Sequence, residues 1–346
     1  MPQRRNGVIA LGTALLLLAA ITLAVWSPSG SHVAAAASTP DAPAKLGPKD
    51  VLIGAYIDNI QNVDPQTNSF LADLYVWMRW TNKDLQPWKS MEFTNLYEAW
   101  QLMSWPSQDA PVRQPDGSWY YLTRFQGAFN SILSLRDYPF GTQQLEIEIE
   151  DMNSESHALR YVSDTTSVAI SPEVSLPGFD IGEPKMAISE IDYATDFGSL
   201  DNTKDNVYSR ATITTPVTHH IATNTFKYLV PIVLVMIAAG LIFLIPPGLV
   251  EGRIGLAITA LLTLVAMQWT STDRLPINSY LSLLDVLYLL SLTFILASLI
   301  QAIRVSWVAR DENEAAAIRK DERSMKVFYA AYGLAFLGTI GYYWAF

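Results

Sequence analysis

The sequence predicts an immunoglobulin-like β-sandwich, exported from the cytoplasm, followed by four membrane-spanning helices. Hydrophobic residues make up 50% of the 346 residues and charged residues only 16%, whereas about 25% is usual in soluble domains. Short strand-like runs separated by turn residues fill residues 38–226, and long uncharged stretches fill residues 227–346. These two patterns predict an extracellular all-β domain and an all-α transmembrane domain.

Residues 1–37 have the pattern of a signal peptide. Arg4 and Arg5 precede an uncharged apolar run, and the alanines at positions 34–37 suit cleavage by signal peptidase. Because the apolar run is longer than a typical signal core, an uncleaved membrane anchor is the alternative. In both cases the residues that follow are exported. The chain has no cysteine, so disulfides, thiolate metal sites and thiol nucleophiles are excluded.

The exported region, residues 38–226, contains strands of the kind that form a sandwich. The clearest lies at 145–150, where leucine and isoleucine alternate with three glutamates, as a half-buried strand requires. Turn signals such as Asp116-Gly117 and Pro177-Gly178 separate such runs. The region holds 25 acidic and 12 basic residues, a net charge of −13, whereas phosphate binding needs concentrated positive charge. We therefore expect no nucleic-acid partner.

Four uncharged stretches of 18 to 23 residues follow residue 227, and a membrane helix needs about 20 residues. The predicted helices span about 228–245, 253–272, 283–303 and 326–346. The linker predicted at 304–325 is rich in arginine and lysine, and the positive-inside rule places it in the cytoplasm. These features predict a multi-pass protein of the inner membrane, surrounded by lipid bilayer, with an extracytoplasmic N-terminal domain.

The second predicted helix contains more polar residues than the other three. Spacings of three and four place seven positions on one stripe of this helix and its flanks. The seven are Glu251, Gly255, Thr259, Leu262, Ala266, Trp269 and Asp273. Charged ends with an apolar middle are typical of a channel lining, where carboxylate rings select ions and apolar rings gate. A packing seam between helices is the alternative.

Catalytic and metal-binding constellations are absent from the sequence. The four histidines stand in no recognised ligand spacing, and no nucleophile, base and metal-ligand set is visible. We therefore predict that the protein is not an enzyme, and that it has no catalytic residue, no metal site and no cofactor.

Taken in order, the motifs resemble those of the pentameric ligand-gated ion channels in their prokaryotic form. The matching segments are Asp116-Gly117, Tyr138 to Gln144, Pro231, Pro246-Pro247, Ile258 to Leu262 and Leu275-Pro276. The resemblance implies a homopentamer around a central pore, with Leu262 at the hydrophobic gate. It also implies that five residues couple the sandwich to the pore: Tyr138, Pro139, Phe140, His219 and Pro276.

Two positions depart from the family pattern. Gly141 stands where an aspartate is usual, so the coupling contacts must differ. His219, beside His220, stands where an arginine is usual. A histidine titrating near pH 6.5 at this junction predicts a response to pH, and a solvent-exposed linker histidine is the alternative.

The resemblance also implies an agonist site between adjacent sandwiches, lined by aromatic side chains from several loops. The candidates are Tyr75, Trp77, Tyr97, Arg124, Asp151, Tyr193, Phe197 and Tyr208. Aromatic faces beside carboxylates favour an amine as the small-molecule agonist. Protons are the alternative stimulus, and they would need no aromatic cage.

The implied function is a ligand- or proton-gated channel. Glu251 and the acidic sandwich predict that monovalent cations pass through the pore. An anion channel is the alternative within the family, because Gly252 to Leu256 resembles the anion-selective members. A membrane-anchored binding module that does not conduct ions is the alternative from another class.

Overall fold

A computed structural model of the protein describes residues 46–198, 206–273, 275–276, 279–311 and 314–345. The chain forms two compact units. Within the described residues, the sandwich unit comprises 46–133 and 142–218, and the helical unit comprises 134–141 and 219–345. The signal peptide predicted at 1–37 lies outside the described residues.

The sandwich unit has two β-sheets. The strands are β1 (Asp50–Asp64), β2 (Ser69–Trp80), β3 (Met91–Phe93), β4 (Met103–Pro106), β5 (Val112–Arg113), β6 (Trp119–Asn130), β7 (Thr142–Asp151), β8 (Arg160–Ile170), β9 (Phe179–Ile181), β10 (Lys185–Asp192) and β11 (Val207–His219). The first sheet has the strand order β4-β6-β2-β1-β8, with β5 also paired to β6, and the second has the order β10-β11-β7-β3, with β9 also paired to β11. A helical turn at Pro87–Ser90 and a 3-10 turn at Ala99–Gln101 lie between strands. The predicted all-β sandwich is confirmed.

Period-two alternation decides which residues fill the core of the sandwich. In β2, Leu74, Val76 and Met78 are buried, while the residues between them are partly exposed on the outer face. In β7, Leu145 and Ile147 are buried and pack in the same apolar cluster. Burial of apolar surface stabilises the fold by about 25 cal/mol per Å². In β2 and in most of β7, one face of the strand therefore forms the core and the other face points away from it.

The helical unit contains four long helices. They are α1 (Ile221–Leu244), α2 (Val250–Thr272), α3 (Leu283–Asp311) and α4 (Glu314–Ala345). Within α1, a π-helical turn at Thr225–Leu229 precedes the α-helical part Val230–Gly240, and a 3-10 turn ends the helix. Pro231 has no N–H to donate to the carbonyl four residues earlier. The π turn therefore lies where the α-helical bonding pattern is interrupted.

Three of the helices are long and apolar enough to cross a membrane, namely α1, α2 and the Leu283–Arg310 part of α3. The part of α4 from Val327 to Ala345 has no charged residue, but tyrosine and glycine make it less apolar. Its passage through the membrane therefore stays a prediction.

The predicted cytoplasmic linker 304–325 is corrected by the structure. Residues 304–311 belong to α3 and residues 314–325 belong to α4. Charged residues mark where a chain leaves hydrocarbon, but arginine, lysine, glutamate and alanine are also strong helix formers. Both helices therefore continue past the uncharged stretches. The first helix, α1, also begins before its uncharged stretch, at Ile221 and not at residue 228.

Candidate functional site

The face of α2 that the sequence predicts to line a pore is exposed in the chain. All seven stripe residues, from Glu251 to Asp273, are exposed, with Leu262 at 62% and Trp269 at 74%. The buried residues of α2 lie on the opposite side of the helix: Arg253, Ala257, Ala260 and Leu264. The seam that packs on the other helices is thus a different face from the stripe.

Threonine hydroxyls on α2 donate their protons to the helix backbone. The Thr259 hydroxyl donates to the Gly255 carbonyl oxygen at 2.8 Å, and the Thr270 hydroxyl donates to the Ala266 carbonyl oxygen at 2.9 Å. Each hydroxyl has one proton and two lone pairs. On the stripe itself, the Thr259 oxygen therefore keeps its acceptor lone pairs, which attract cations, and Thr270 lies beside the stripe.

Arg253 lies at the start of α2 but points away from the stripe. Its guanidinium forms an ion pair with Asp321 of α4, and its Nε donates to the Ile245 carbonyl oxygen at 3.0 Å. Arg253 is 1% exposed and Asp321 is 2% exposed. Glu251, in the same turn of α2, is exposed. The first turn therefore presents a carboxylate on the stripe and holds its basic residue behind the helix.

Residues 134–141, here called the coupling loop, pack on the helices. The Leu284 N–H of α3 donates to the Tyr138 carbonyl oxygen at 3.1 Å, and the hydroxyls of Tyr138 and Tyr228 are hydrogen-bonded at 2.7 Å. Phe140 is buried in the apolar cluster of the helical unit. The Pro139 carbonyl oxygen accepts a hydrogen bond from the Asn224 side chain. A movement of this loop would therefore act directly on α1 and α3.

Gly141 is the last residue of the coupling loop, and its backbone conformation favours glycine. Its φ is +91°, in the region that side chains with a Cβ rarely adopt. A Cβ at this position would also lie 3.2 Å from the Cβ of Asp137. Pro276, the last predicted coupling residue, is half-buried after α2, between residues that the structure leaves undescribed.

His219 does not titrate where the sequence predicted. Its ring lies edge-on to the Tyr138 ring, with centroids 6.0 Å apart. Burial, with a smaller contribution from His220, lowers the pKa of His219 from its usual value near 6.5 to about 4. The predicted titration near pH 6.5 is therefore corrected, because a buried imidazole disfavours its charged form.

Replacing His219 with glutamine is expected to leave the current-versus-pH relation unchanged between about pH 5.5 and pH 8, since the imidazole is neutral throughout that range. The buried imidazole binds a proton only near pH 4, whereas the unfolded one binds it near pH 6.5. The free energy of unfolding therefore falls as the pH is lowered from about 6.5 to about 4. Currents recorded at stepped pH test whether the current-versus-pH relation is unchanged. A shifted midpoint in the glutamine variant would show that His219 does titrate between about pH 5.5 and pH 8.

Three of the predicted ligand residues form an aromatic group at one edge of the second sheet. The Tyr193 ring stands edge-on to the rings of Phe197 and Tyr208, with centroids 5.5 and 5.7 Å apart. Tyr208 lies on the outer face of β11, and Tyr193, which directly follows β10, lies on the same side of the sheet. Phe197 is exposed. This group matches an aromatic platform for a cationic ligand.

Charged residues adjoin the aromatic group. The Glu150 carboxylate accepts a hydrogen bond from the Tyr193 hydroxyl at 3.0 Å and pairs with Arg210, which also pairs with Glu148 at 2.8 Å. Burial lowers the pKa of Arg210, but the hydrogen bond to Glu150 and the two carboxylate charges outweigh it and raise this pKa. Arg210 therefore stays charged, and the set of two glutamates and one arginine is net negative.

Tyr75 and Arg124 form a second group on the outer face of the first sheet. The Arg124 guanidinium lies 5.4 Å from the Tyr75 ring centroid, and it pairs with Asp73 at 2.7 Å and Asp58 at 3.2 Å. The hydrogen bond to Asp73 and the charge of that carboxylate raise the pKa of Arg124. The two groups lie on different sheets of one sandwich, so a box built from both requires two copies of the chain.

Trp77 lies on the same outer face as Tyr75, where its indole N–H donates to the Asp164 carboxylate at 2.8 Å. It stands opposite Gly54 of β1, and a Cβ on that glycine would lie 2.3 Å from the indole. The glycine therefore makes room for the ring, and the carboxylate fixes its orientation.

Asp151 lies inside the sandwich and not in the aromatic group. Asp151 and Glu150 are both 2% exposed, but the Asp151 carboxylate accepts a hydrogen bond from the Ser90 hydroxyl at 2.5 Å, whereas the Glu150 carboxylate accepts one from Tyr193. Alternation along β7 explains this, because Ile149 points inward and Asp151 shares its parity. Glu150 makes the contact predicted for Asp151. Tyr97 is exposed beside β6, where its amide donates to the Ala128 carbonyl oxygen at 3.0 Å.

Sequence reasoning missed Arg210 and Asp73 as members of the two groups, and it placed Glu150 near the site but selected its neighbour Asp151. Period-two alternation favours Glu150 and Arg210, since Glu150 shares the parity of Glu146 and Arg210 shares the parity of Tyr208. The pairing of Asp73 with Arg124 follows from the register of β2 and β6, which only the folded sheet provides.

The helical unit is similar to a known family of membrane domains. Residues 228–330 match the family described as Neurotransmitter-gated ion-channel transmembrane region. The matched range begins in α1 and ends in α4.

Three curated proteins are similar over longer ranges. The chain is 24% identical over 216 residues, 61% of its length, to the Gamma-aminobutyric acid receptor subunit beta of Lymnaea stagnalis. It is 24% identical over 193 residues, 56% of its length, to the Gamma-aminobutyric acid receptor subunit beta-like of Drosophila melanogaster. It is 25% identical over 182 residues, 53% of its length, to the Ligand-gated ion channel 50 of Caenorhabditis elegans. The matched segments cover 41%, 37% and 35% of these relatives, so the chain spans less than half of their length.

Proposed function

Because this chain belongs to the Cys-loop superfamily of pentameric channels, we propose that it forms a homopentameric, ligand-gated channel that conducts monovalent cations across the inner membrane. It is a membrane protein with an extracellular N-terminal β domain. The absence of cysteine supports the prokaryotic form of the family. In the assembled pentamer, the exposed stripe of α2 would face the axis and line the pore.

One observation carries the proposed cation selectivity. In the first turn of α2 the exposed residue is Glu251, whereas Arg253 is buried in an ion pair with Asp321. Five copies would bring five carboxylates together at the cytoplasmic mouth, and carboxylate rings favour cations. The acceptor lone pairs of Thr259, about two turns further along α2, act in the same direction.

The anion-selective alternative rests on Gly252 to Leu256, which resembles the corresponding segment of anion-selective members. This alternative needs Arg253 or the N-terminal end of α2 to dominate the potential in the mouth. The buried ion pair of Arg253 with Asp321 argues against a dominant arginine.

The proposed agonist site lies between adjacent sandwiches, with the aromatic group of one copy facing the Arg124 group of the next. Three aromatic rings and a net negative charge favour an amine. Arg210 already pairs with the Glu150 carboxylate, so an ammonium group would compete with it or lie on the rings of Tyr193 and Tyr208.

Replacing Tyr208 with alanine is expected to raise the amine concentration for half activation about tenfold, because a partly desolvated cation–π contact contributes about 1–2 kcal/mol. Replacing Tyr208 with phenylalanine keeps the ring and should change this concentration little. Dose–response recordings with a panel of amines test the pair of variants. Equal responses of the alanine variant and the wild type would place the agonist elsewhere.

Recording from the purified protein in planar bilayers tests whether it conducts at all. We expect discrete openings whose frequency rises with an amine agonist or with acid. A membrane-anchored binding module would bind the agonist in the same preparation and give no current. Binding without current, in protein shown to be pentameric, would therefore favour that alternative.

A further inference from the structure

The ion pair of Arg253 with Asp321 lies close enough to the pore to act on permeating ions. Arg253 lies on the face of α2 opposite the exposed stripe, and a helix with its side chains is about 10–12 Å across. At about 12 Å and an effective dielectric constant of about 20, one unit charge changes the occupancy of an ion about tenfold. Burial limits screening by salt.

An uncompensated Arg253 would therefore oppose Glu251. The two residues carry opposite unit charges within one turn of α2, so their contributions to the electrostatic potential in the pore nearly cancel. With Asp321 in contact with the guanidinium, the buried pair is neutral and Glu251 is left as the net charge of the group. The sign of the electrostatic potential at the cytoplasmic mouth of the pore thus depends on Asp321, a residue of α4 that is not on the stripe.

We propose that Asp321 is a selectivity-determining residue, which neutralises Arg253 and so allows Glu251 to select cations. The inference rests on the proposed cation selectivity. Stability alone does not require the pair to be ionic, because well-packed apolar residues often replace buried ion pairs without loss. The charges of exposed Arg319, Lys320 and Arg323 on the same helix are screened by solvent and do not contact Arg253.

The test is a comparison of sodium-to-chloride permeability ratios from reversal potentials in a NaCl gradient, with the full chain in oocytes. Asp321→Asn should lower the ratio by at least about tenfold, because one unit charge at about 12 Å lowers the occupancy of a cation about tenfold, acts on an anion in the opposite direction, and is present in all five copies. The double variant Arg253→Gln/Asp321→Asn, in which the pair is neutral again, should recover the wild-type ratio. Glu322→Gln removes a charge from the next position of α4 and should leave the ratio unchanged.

A wild-type ratio in Asp321→Asn, at normal surface expression, would overturn the inference. A lowered ratio in both Asp321→Asn and the double variant would also overturn it, because the effect would then not pass through the charge of Arg253. If Asp321→Asn does not reach the membrane, the double variant decides, and a lowered ratio there contradicts the inference. Reversal of the wild type near the chloride potential would instead refute the proposed cation selectivity.

Discussion

Replacing Leu262 with serine is expected to raise the resting current and to lower the agonist concentration for half activation. Leu262 is 62% exposed on the stripe, in the middle of α2. Five leucines facing one axis would make a constriction from which water withdraws, and a closed gate of this kind blocks ions by dewetting. A hydroxyl at each position would let water remain, so the closed state would lose its barrier.

Oocyte recordings of resting current and dose response test this prediction. Leu261→Ser is the matched control, because the same substitution one position earlier falls off the stripe and is half-buried. The control should leave the resting current near the wild-type level. An unchanged dose response in Leu262→Ser, with normal surface expression, would move the gate to another residue of the stripe, and Trp269 is then the next to test.

A β-sandwich followed by helices could be predicted because the longer elements have local signals. Alternating leucine and glutamate in β7 gives the face of the strand, and the spacing of the α2 residues gives the exposed stripe. The same alternation assigns Asp151 to the core and Glu150 to the outer face, so the sequence alone favours Glu150 over Asp151 as the site residue.

Contacts between distant segments could not be predicted. Arg253 and Asp321 are 68 residues apart, and their pairing depends on how α2 and α4 pack. The pKa of His219 near 4 depends on burial beside Tyr138, which no local pattern encodes. The end of α3 and the start of α4 differ from the predicted positions because charge indicates the membrane boundary, whereas helix propensity decides where a helix begins and ends.

Replacing Glu251 with alanine is expected to weaken the preference for cations strongly. The substitution removes five carboxylates from the cytoplasmic mouth of the proposed pentamer, and near a protein surface a pair of unit charges at about 4 Å interacts by about 4 kcal/mol. The alanine variant should therefore reverse closer to the chloride potential than the wild type. Glu251→Asp keeps the charge and should keep the preference, which separates charge from side-chain size.

The most direct test of the account is the reversal potential of the wild-type channel in a NaCl gradient. The carboxylate ring of Glu251, with Arg253 held in its buried ion pair, predicts reversal near the sodium equilibrium potential. Reversal near the chloride equilibrium potential would contradict the account and would establish the anion-selective alternative.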